Sequence, residues 1–375
     1  MAVGGQPISK LARVVSLSDL PLRDDLRGAH PYGAPQDPVR YALNVNENTH
    51  PIPEGVARDI VESLAHAVLG ANRYPDREFT DLRAAFAGYL GHGIRADQIW
   101  AANGSNEIIQ HVLQAFGGPG RRVLGFPPTY SMHPIIAAGT GTEWVTAERD
   151  AGYAISPQTA VAAIEREDPD LVFLCSPNNP TGTPLHLETI EAAYDATRGM
   201  VFVDEAYAEF TPDHIPSALT LLPGRERLIV SRTMSKAFAF AGVRVGYLAA
   251  DPAVTDALRL VRLPYHLSTL TQAAALAALR HAPEMLAMVD DIRGQRDRLL
   301  AELPVLGYRA HESWANFVLF DGLTDPDATF RALRERDILI RDVGLPGALR
   351  VTAGTEEETT YFLRALADLG PGGAS

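Results

Sequence analysis

Two of the 33 basic residues are lysine, Lys10 and Lys236; the other 31 are arginine. Arginine keeps its proton in a folded protein, whereas a partly buried lysine can lose it and become a nucleophile or base. Lys10 lies in a polar N-terminal lead-in and reads as a solvated charge. Lys236 sits between the apolar run Leu228-Ile229-Val230 and the small and aromatic segment Ala237 to Gly242. Its amine is a candidate for covalent chemistry with a carbonyl, a Schiff base. The plain alternative is a surface lysine at a strand end.

Other residues could serve such an amine. Asp204 directly follows the apolar run Met200 to Val203, and a carboxylate at a strand end is unfavourable unless it is paired or put to use. Taken alone, it reads equally well as a helix N-cap. Gly104-Ser105-Asn106 opens a helix, so free backbone N–H groups and the helix dipole offer an anion site there. Arg244 follows Gly242 and precedes a strand; it reads as a phosphate clamp or as a salt bridge to a helix. Asn179 is held in the rigid turn Asn179-Pro180-Thr181-Gly182. Tyr130, after two prolines, offers a ring face and Tyr207 a hydroxyl, although both also suit a core with a polar tip. Together these groups fit a planar, phosphorylated aldehyde with a basic ring nitrogen, pyridoxal 5'-phosphate, whose sites pair a lysine Schiff base with an acidic partner for the ring nitrogen.

The elements that must position them follow a strand, turn, helix rhythm. Helices are expected over 53–69 and 79–90. Short strands at 98–102, 123–126, 143–146, 171–175, 200–203, 228–230 and 243–248 then alternate with helices at 105–116, 157–165 and 187–197. Continuously apolar strands between helices predict a mainly parallel α/β sheet covered on both faces. After Pro264 the pattern changes to helices at 269–281 and 283–303, then strands at 316–320 and 349–352 alternating with helices at 327–336 and 356–369. This predicts three parts: an N-terminal arm or small-domain segment (1–45), a large domain (46–264) and a smaller α+β domain (265–375).

With 375 residues the chain has room for two domains, and 46% apolar with 21% charged residues is ordinary for a soluble protein. A net charge of −13 without a basic stripe argues against nucleic acid or an anionic membrane as partner. The single cysteine, Cys175, excludes an intrachain disulfide and a cysteine metal cluster, and no metal site is expected. Residues 1–11 lack a signal-peptide core and no run approaches a membrane span, so a cytoplasmic location is the expectation. A dinucleotide-binding Gly-x-Gly-x-x-Gly after a strand is missing.

Ser176 to Gly182 (SPNNPTG), Asp204 to Tyr207 (DEAY), Thr233 to Phe238 (TMSKAF) and Ala241 to Arg244 (AGVR) resemble fold-type I pyridoxal-phosphate aminotransferases. Pro31-Tyr32, Asn46-Glu47-Asn48, Arg73-Tyr74-Pro75, Pro127 to Tyr130, Ile338 to Asp342 and Leu349 to Thr355 resemble the histidinol-phosphate aminotransferase branch. The matches run in order from about residue 20 to residue 365. One departure is Thr49, where the family often has proline.

The resemblance implies that Lys236 forms the Schiff base, that Asp204 pairs with the pyridine nitrogen, and that Asn179 and Tyr207 bind the ring oxygen. It implies Tyr130 stacked on the ring, with Gly104, Ser105, Asn106, Thr233, Ser235 and Arg244 around the phosphate. Tyr74 would reach that phosphate from a neighbouring subunit, which implies a homodimer. Arg350 would anchor the acidic end of the substrate, with Asn179, Arg341 and Tyr32 completing its pocket. The implied reaction moves an amino group between histidinol phosphate and 2-oxoglutarate, giving imidazole acetol phosphate and glutamate. A same-branch aminotransferase acting on phenylalanine would share every cofactor residue and differ in the pocket. A non-catalytic, cofactor-binding regulator would carry a DNA-binding module ahead of this part, and only about 40 polar residues stand there.

Overall fold

The computed structural model describes residues 15–28, 33–212 and 214–370. The chain divides into two units, one ending at Pro35 and one starting at Gln36. The first contains two single-turn 3-10 helices, Leu17–Asp19 and Asp24–Leu26. The Asp19 carboxylate closes the first by accepting from the Ser16 amide at 2.8 Å.

The second unit begins with a two-residue strand, β1 (Tyr41–Ala42), and two helices, α1 (Glu54–Leu69) and α2 (Thr80–Leu90). There follow β2 (Ile99–Ala102), α3 (Ser105–Phe116), β3 (Arg122–Gly125), α4 (Met132–Thr140), β4 (Glu143–Thr146) and α5 (Pro157–Glu167). Next come β5 (Leu171–Cys175), α6 (Leu187–Ala196), β6 (Met200–Asp204), β7 (Leu228–Thr233) and β8 (Gly246–Ala250). Strands β2 to β8 form one seven-stranded sheet in the order β2-β8-β7-β6-β5-β3-β4. All are parallel except β8, which runs antiparallel to both β7 and β2. The predicted mainly parallel α/β sheet is therefore present, with one reversed strand. Every residue of β2, β5 and β8 is buried, as expected of strands covered on both faces.

Beyond the sheet lie α7 (Pro252–Val261), α8 (Thr269–Arg280) and the 24-residue α9 (Ala282–Val305). Strands β9 (Arg309–Ala310), β10 (Phe317–Asp321) and β12 (Ala348–Thr352) make a small antiparallel sheet in the order β12-β10-β9. Helices α10 (Pro326–Arg334) and α11 (Glu356–Leu369) accompany it, and β11 (Ile338–Leu339) pairs in parallel with β1. The chain before the sheet is thereby tied to its C-terminal part. Strong caps set several helix starts: Asp251 accepts from Ala253 N before Pro252, and Thr355 and Glu358 form a capping box on α11.

Three differences from the sequence expectation have physical reasons. The strand expected at 243–248 starts only at Gly246, because Arg244 takes a left-handed φ of 63° and turns the chain first. Helix α7 was not expected, although Asp251-Pro252 is a good helix start. Helix α4 was also unforeseen; it is nine residues long and carries Pro134 and Gly139, with His133 and Ala137 its buried residues.

Candidate active site

Register puts the ends of three parallel strands side by side: Cys175 of β5 faces Asp204 of β6, which faces Ser231 of β7. The loops leaving them carry Asn179, Tyr207 and Lys236, so the site lies at the carboxyl edge of the sheet, where ligands of open α/β folds collect.

Asp204 is buried, 2% exposed. Its Oδ1 accepts from the Ala206 amide at 3.2 Å and from Ser231 Oγ at 3.5 Å, while Oδ2 meets His133 Nε2 at 3.2 Å. It caps no helix; the next helical turn begins at Ala208. His133, on α4, is buried among the rings of Tyr130 and Phe173, with centroids 5.4 and 5.3 Å away. Sequence reasoning missed it, because the helix that carries it was itself not expected.

Lys236 follows β7 and donates from Nζ to the Val45 carbonyl at 2.9 Å. Burial chiefly, with the positive charges of Arg350 and Arg244, brings its pKa down to about 8, against an opposing pull from Glu47. At pH 7 about a tenth is therefore the free amine, hundreds of times more than an exposed lysine would provide.

An anion cradle forms beside it. Gly104 precedes α3 with φ of 89°, and a Cβ built there would lie 2.5 Å from Arg244 Nη2. Gly246 packs equally closely, its added Cβ falling 2.4 Å from the Ser105 amide nitrogen. The two glycines thus let β8 and the Arg244 guanidinium close on the N-terminus of α3, where amides and helix dipole favour an anion. Thr233 Oγ1 donates to Ser235 Oγ at 3.0 Å and accepts from the Ser235 amide at 3.1 Å, placing both hydroxyls at the β7 end of the site. Tyr130 donates its hydroxyl to Asn106 Oδ1 at 3.1 Å.

Opposite the lysine, the Tyr207 hydroxyl accepts from Asn46 Nδ2 at 2.9 Å and from Asn179 Nδ2 at 3.4 Å. Burial pushes its pKa up, so the group stays a neutral hydroxyl. Asn179 Oδ1 accepts from Arg350 Nη1, and Arg350 Nη2 donates to the Asn44 carbonyl at 2.7 Å. Arg350, in β12, also lies over the Phe317 ring at 5.0 Å. Arg341 joins it through a pair of backbone hydrogen bonds, both 2.9 Å. Asn46, the buried partner of Tyr207, entered the sequence reading only within the Asn46-Glu47-Asn48 motif, with no site role; its backbone, at a left-handed φ of 57°, bonds to Thr352 and its side chain to Tyr207, both distant in sequence.

The expected residues Lys236, Asp204, Tyr207, Asn179, Arg350, Thr233, Ser235 and Arg244 are thus linked by contacts with one another or with shared neighbours. Tyr74 is not: it is 79% exposed and stacks on Tyr265 with centroids 4.4 Å apart. Tyr32 lies outside the described residues.

The donor set suits pyridoxal phosphate. The cradle that two glycines keep open would suit the phosphate, Asp204 a protonated ring nitrogen, and a partly neutral lysine the aldehyde. An α/β fold with such a site defines the pyridoxal-phosphate aminotransferases of fold type I. The pattern of the family "Aminotransferase class I and II" matches residues 41–366, and the chain belongs to that family. It is 61% identical over 353 residues to the histidinol-phosphate aminotransferase of Paenarthrobacter aurescens, covering 93% of this chain and 95% of that protein. With the histidinol-phosphate aminotransferase of Thermobifida fusca it shares 58% identity over 94% of this chain and 96% of the relative. Among solved structures, the histidinol-phosphate aminotransferase of Sinorhizobium meliloti in complex with pyridoxal-5'-phosphate superposes with a TM-score of 0.78 at 26% identity, covering 88% of this chain and 90% of that one.

Proposed function

We propose that this chain is a histidinol-phosphate aminotransferase, moving the amino group of histidinol phosphate to 2-oxoglutarate in histidine biosynthesis. The observation that carries the reading is the near full-length identity of 61% to a protein of that activity, supported by Lys236 and Arg350 reaching the adjacent Val45 and Asn44 carbonyls.

Pyridoxal phosphate, when bound, supplies a carbonyl to receive the amino group and a protonated ring to accept the electron pair released at the substrate carbon. Asp204 would face the ring nitrogen, Tyr207 and Asn179 the ring oxygen and Tyr130 the ring face. Gly104, Ser105, Asn106, Thr233, Ser235 and Arg244 would hold the phosphate. Lys236 would be the proton carrier: as free amine its Nζ takes a proton from the substrate carbon, and as ammonium it delivers that proton to the former carbonyl carbon of the bound cofactor. A pKa near 8 suits both directions at neutral pH. Arg350, fixed by Asn179 and Asn44, presents a planar guanidinium that can pair with the carboxylate of 2-oxoglutarate or the phosphate of histidinol phosphate in turn, with Arg341 joined to it through the backbone.

Tyr74 completes the phosphate site from a second copy in a homodimer. Its exposed ring, with exposed Leu69, Leu260 and Leu263, supports such an interface. No helix among the described residues is long and apolar enough to cross a membrane. The deciding experiment is a single-turnover half-reaction of the cofactor-loaded protein with histidinol phosphate and, separately, phenylalanine, followed by loss of the cofactor absorbance band. Rapid loss with histidinol phosphate and a far slower one with phenylalanine is expected; the reverse order would move the enzyme to aromatic amino acids.

A further inference from the structure

Two residues that the chemistry above leaves unused form the joint between the loops carrying Tyr130 and Asn179. Asn178 is fully buried, and its side-chain amide is satisfied on both atoms. Nδ2 donates to the Pro128 carbonyl at 2.9 Å and to Thr181 Oγ1 at 2.8 Å. Oδ1 accepts from Thr129 Oγ1 at 3.1 Å and from Arg149 Nη2 at 2.9 Å. One amide thus ties the loop of Pro127 to Tyr130 to the turn of Ser176 to Gly182. Arg149 meets it from the far side, where Nε donates to the Phe126 carbonyl at 2.8 Å and Nη1 to the Tyr153 carbonyl at 3.0 Å. All three acceptors are neutral, and no carboxylate among the described residues forms an ion pair with this guanidinium within 4.0 Å. Burial brings its pKa down to about 10, so a charge is kept here against its desolvation. An arginine held on three neutral acceptors serves geometry: its planar fork fixes the end of β3, the turn at Tyr153 and the Asn178 amide in one plane of contacts.

We propose that Arg149 is a positioning residue acting through Asn178, which together set the Tyr130 ring and the Asn179 side chain relative to one another at the cofactor site. The Asn179 end of this joint also reaches substrate, because Asn179 Oδ1 holds Arg350. The proposal rests on the aminotransferase reading. If the unaltered chain does not bind pyridoxal phosphate at all, both fall; the outcomes below concern the proposal alone.

The test is a double-mutant cycle read on the pyridoxal-phosphate dissociation constant of the full chain, measured by equilibrium dialysis, and on KM for 2-oxoglutarate. Arg149→Met and Asn178→Ala should each weaken cofactor binding by roughly tenfold, and the double variant by roughly the same tenfold, since both break one joint. KM should rise in parallel. A stability-matched core variant in α9, Ile292→Val, should lower the melting temperature while moving neither constant. If Arg149→Met does not fold, Arg149→Lys replaces it. An ammonium cannot span three acceptors that a guanidinium fork reaches, so a weakening of several-fold is again expected, with non-additivity against Asn178→Ala. Additive losses near a hundredfold, or single variants with unchanged constants, would overturn the proposal.

Discussion

If the amine of Lys236 is held largely by burial at a pKa near 8, the cofactor-free protein must be destabilised by that lysine. The folded pKa is depressed from 10.5 to about 8, a difference of about 2.5 units. At 1.36 kcal/mol per unit, the full penalty on the charged form is about 3 kcal/mol. The sign follows from proton binding. Between the folded and unfolded values the unfolded chain binds more protons, so stability rises with pH across roughly 8 to 10.5. Below the lower value both states are protonated and the penalty is complete; above the upper value it vanishes. Replacing the side chain with methionine, similar in length and uncharged, removes the penalty. Cofactor-free Lys236→Met should therefore be more stable than the unaltered chain by about 3 kcal/mol at pH 7, less whatever the lost bond to the Val45 carbonyl contributed. By pH 9.5 the advantage should shrink to about 1 kcal/mol. Urea melts of both proteins at pH 7, 8.5 and 9.5, with cofactor removed, measure the difference directly, and titrations common to both cancel. A difference that does not change with pH, or a Lys236→Met protein less stable at pH 7, would refute an amine depressed by its surroundings. The same result would remove the physical basis for Lys236 as proton carrier.

Two further outcomes follow from the geometry. Arg350→Ala removes the guanidinium held by Asn179 and Asn44, so both half-reactions should slow by at least about a hundredfold, as losing a hydrogen-bonded charge partner costs about 3 kcal/mol. An unchanged 2-oxoglutarate half-reaction would remove Arg350 as the shared anchor. Gly104→Ala places a Cβ against Arg244 at a φ of 89° that alanine seldom adopts, so pyridoxal-phosphate affinity should fall by roughly tenfold with little change in fold. Equilibrium dialysis would show it, and unaltered affinity would mean that the cradle is not the phosphate site.

The reach of sequence reasoning here follows the distance over which each feature is determined. Strands β5 and β6 were readable because a parallel strand buried on both faces needs a continuous apolar run, and Leu171–Cys175 and Met200–Val203 supply it without reference to distant residues. Asp204 and Lys236 stood out because each breaks local expectation, a carboxylate closing an apolar strand and one of two lysines in an arginine-rich chain. Asn46 and Tyr207 meet across 161 positions, and Arg350 and Asn179 across 171. Neither pairing leaves a trace in local pattern, because asparagine is as ordinary in a turn as in a catalytic network. His133 and Arg149 are harder still, since each is recognised only by what it touches. A histidine against Asp204 orients a carboxylate, and the same residue on an exposed helix face would do nothing. The arginine-rich composition deepens this: with 31 arginines, the part-buried Arg149 has no distinguishing mark, while scarcity made Lys236 conspicuous. Residue type therefore exposes the groups that bear the chemistry, and the groups that aim them become visible only once β3, β5 and β6 stand side by side.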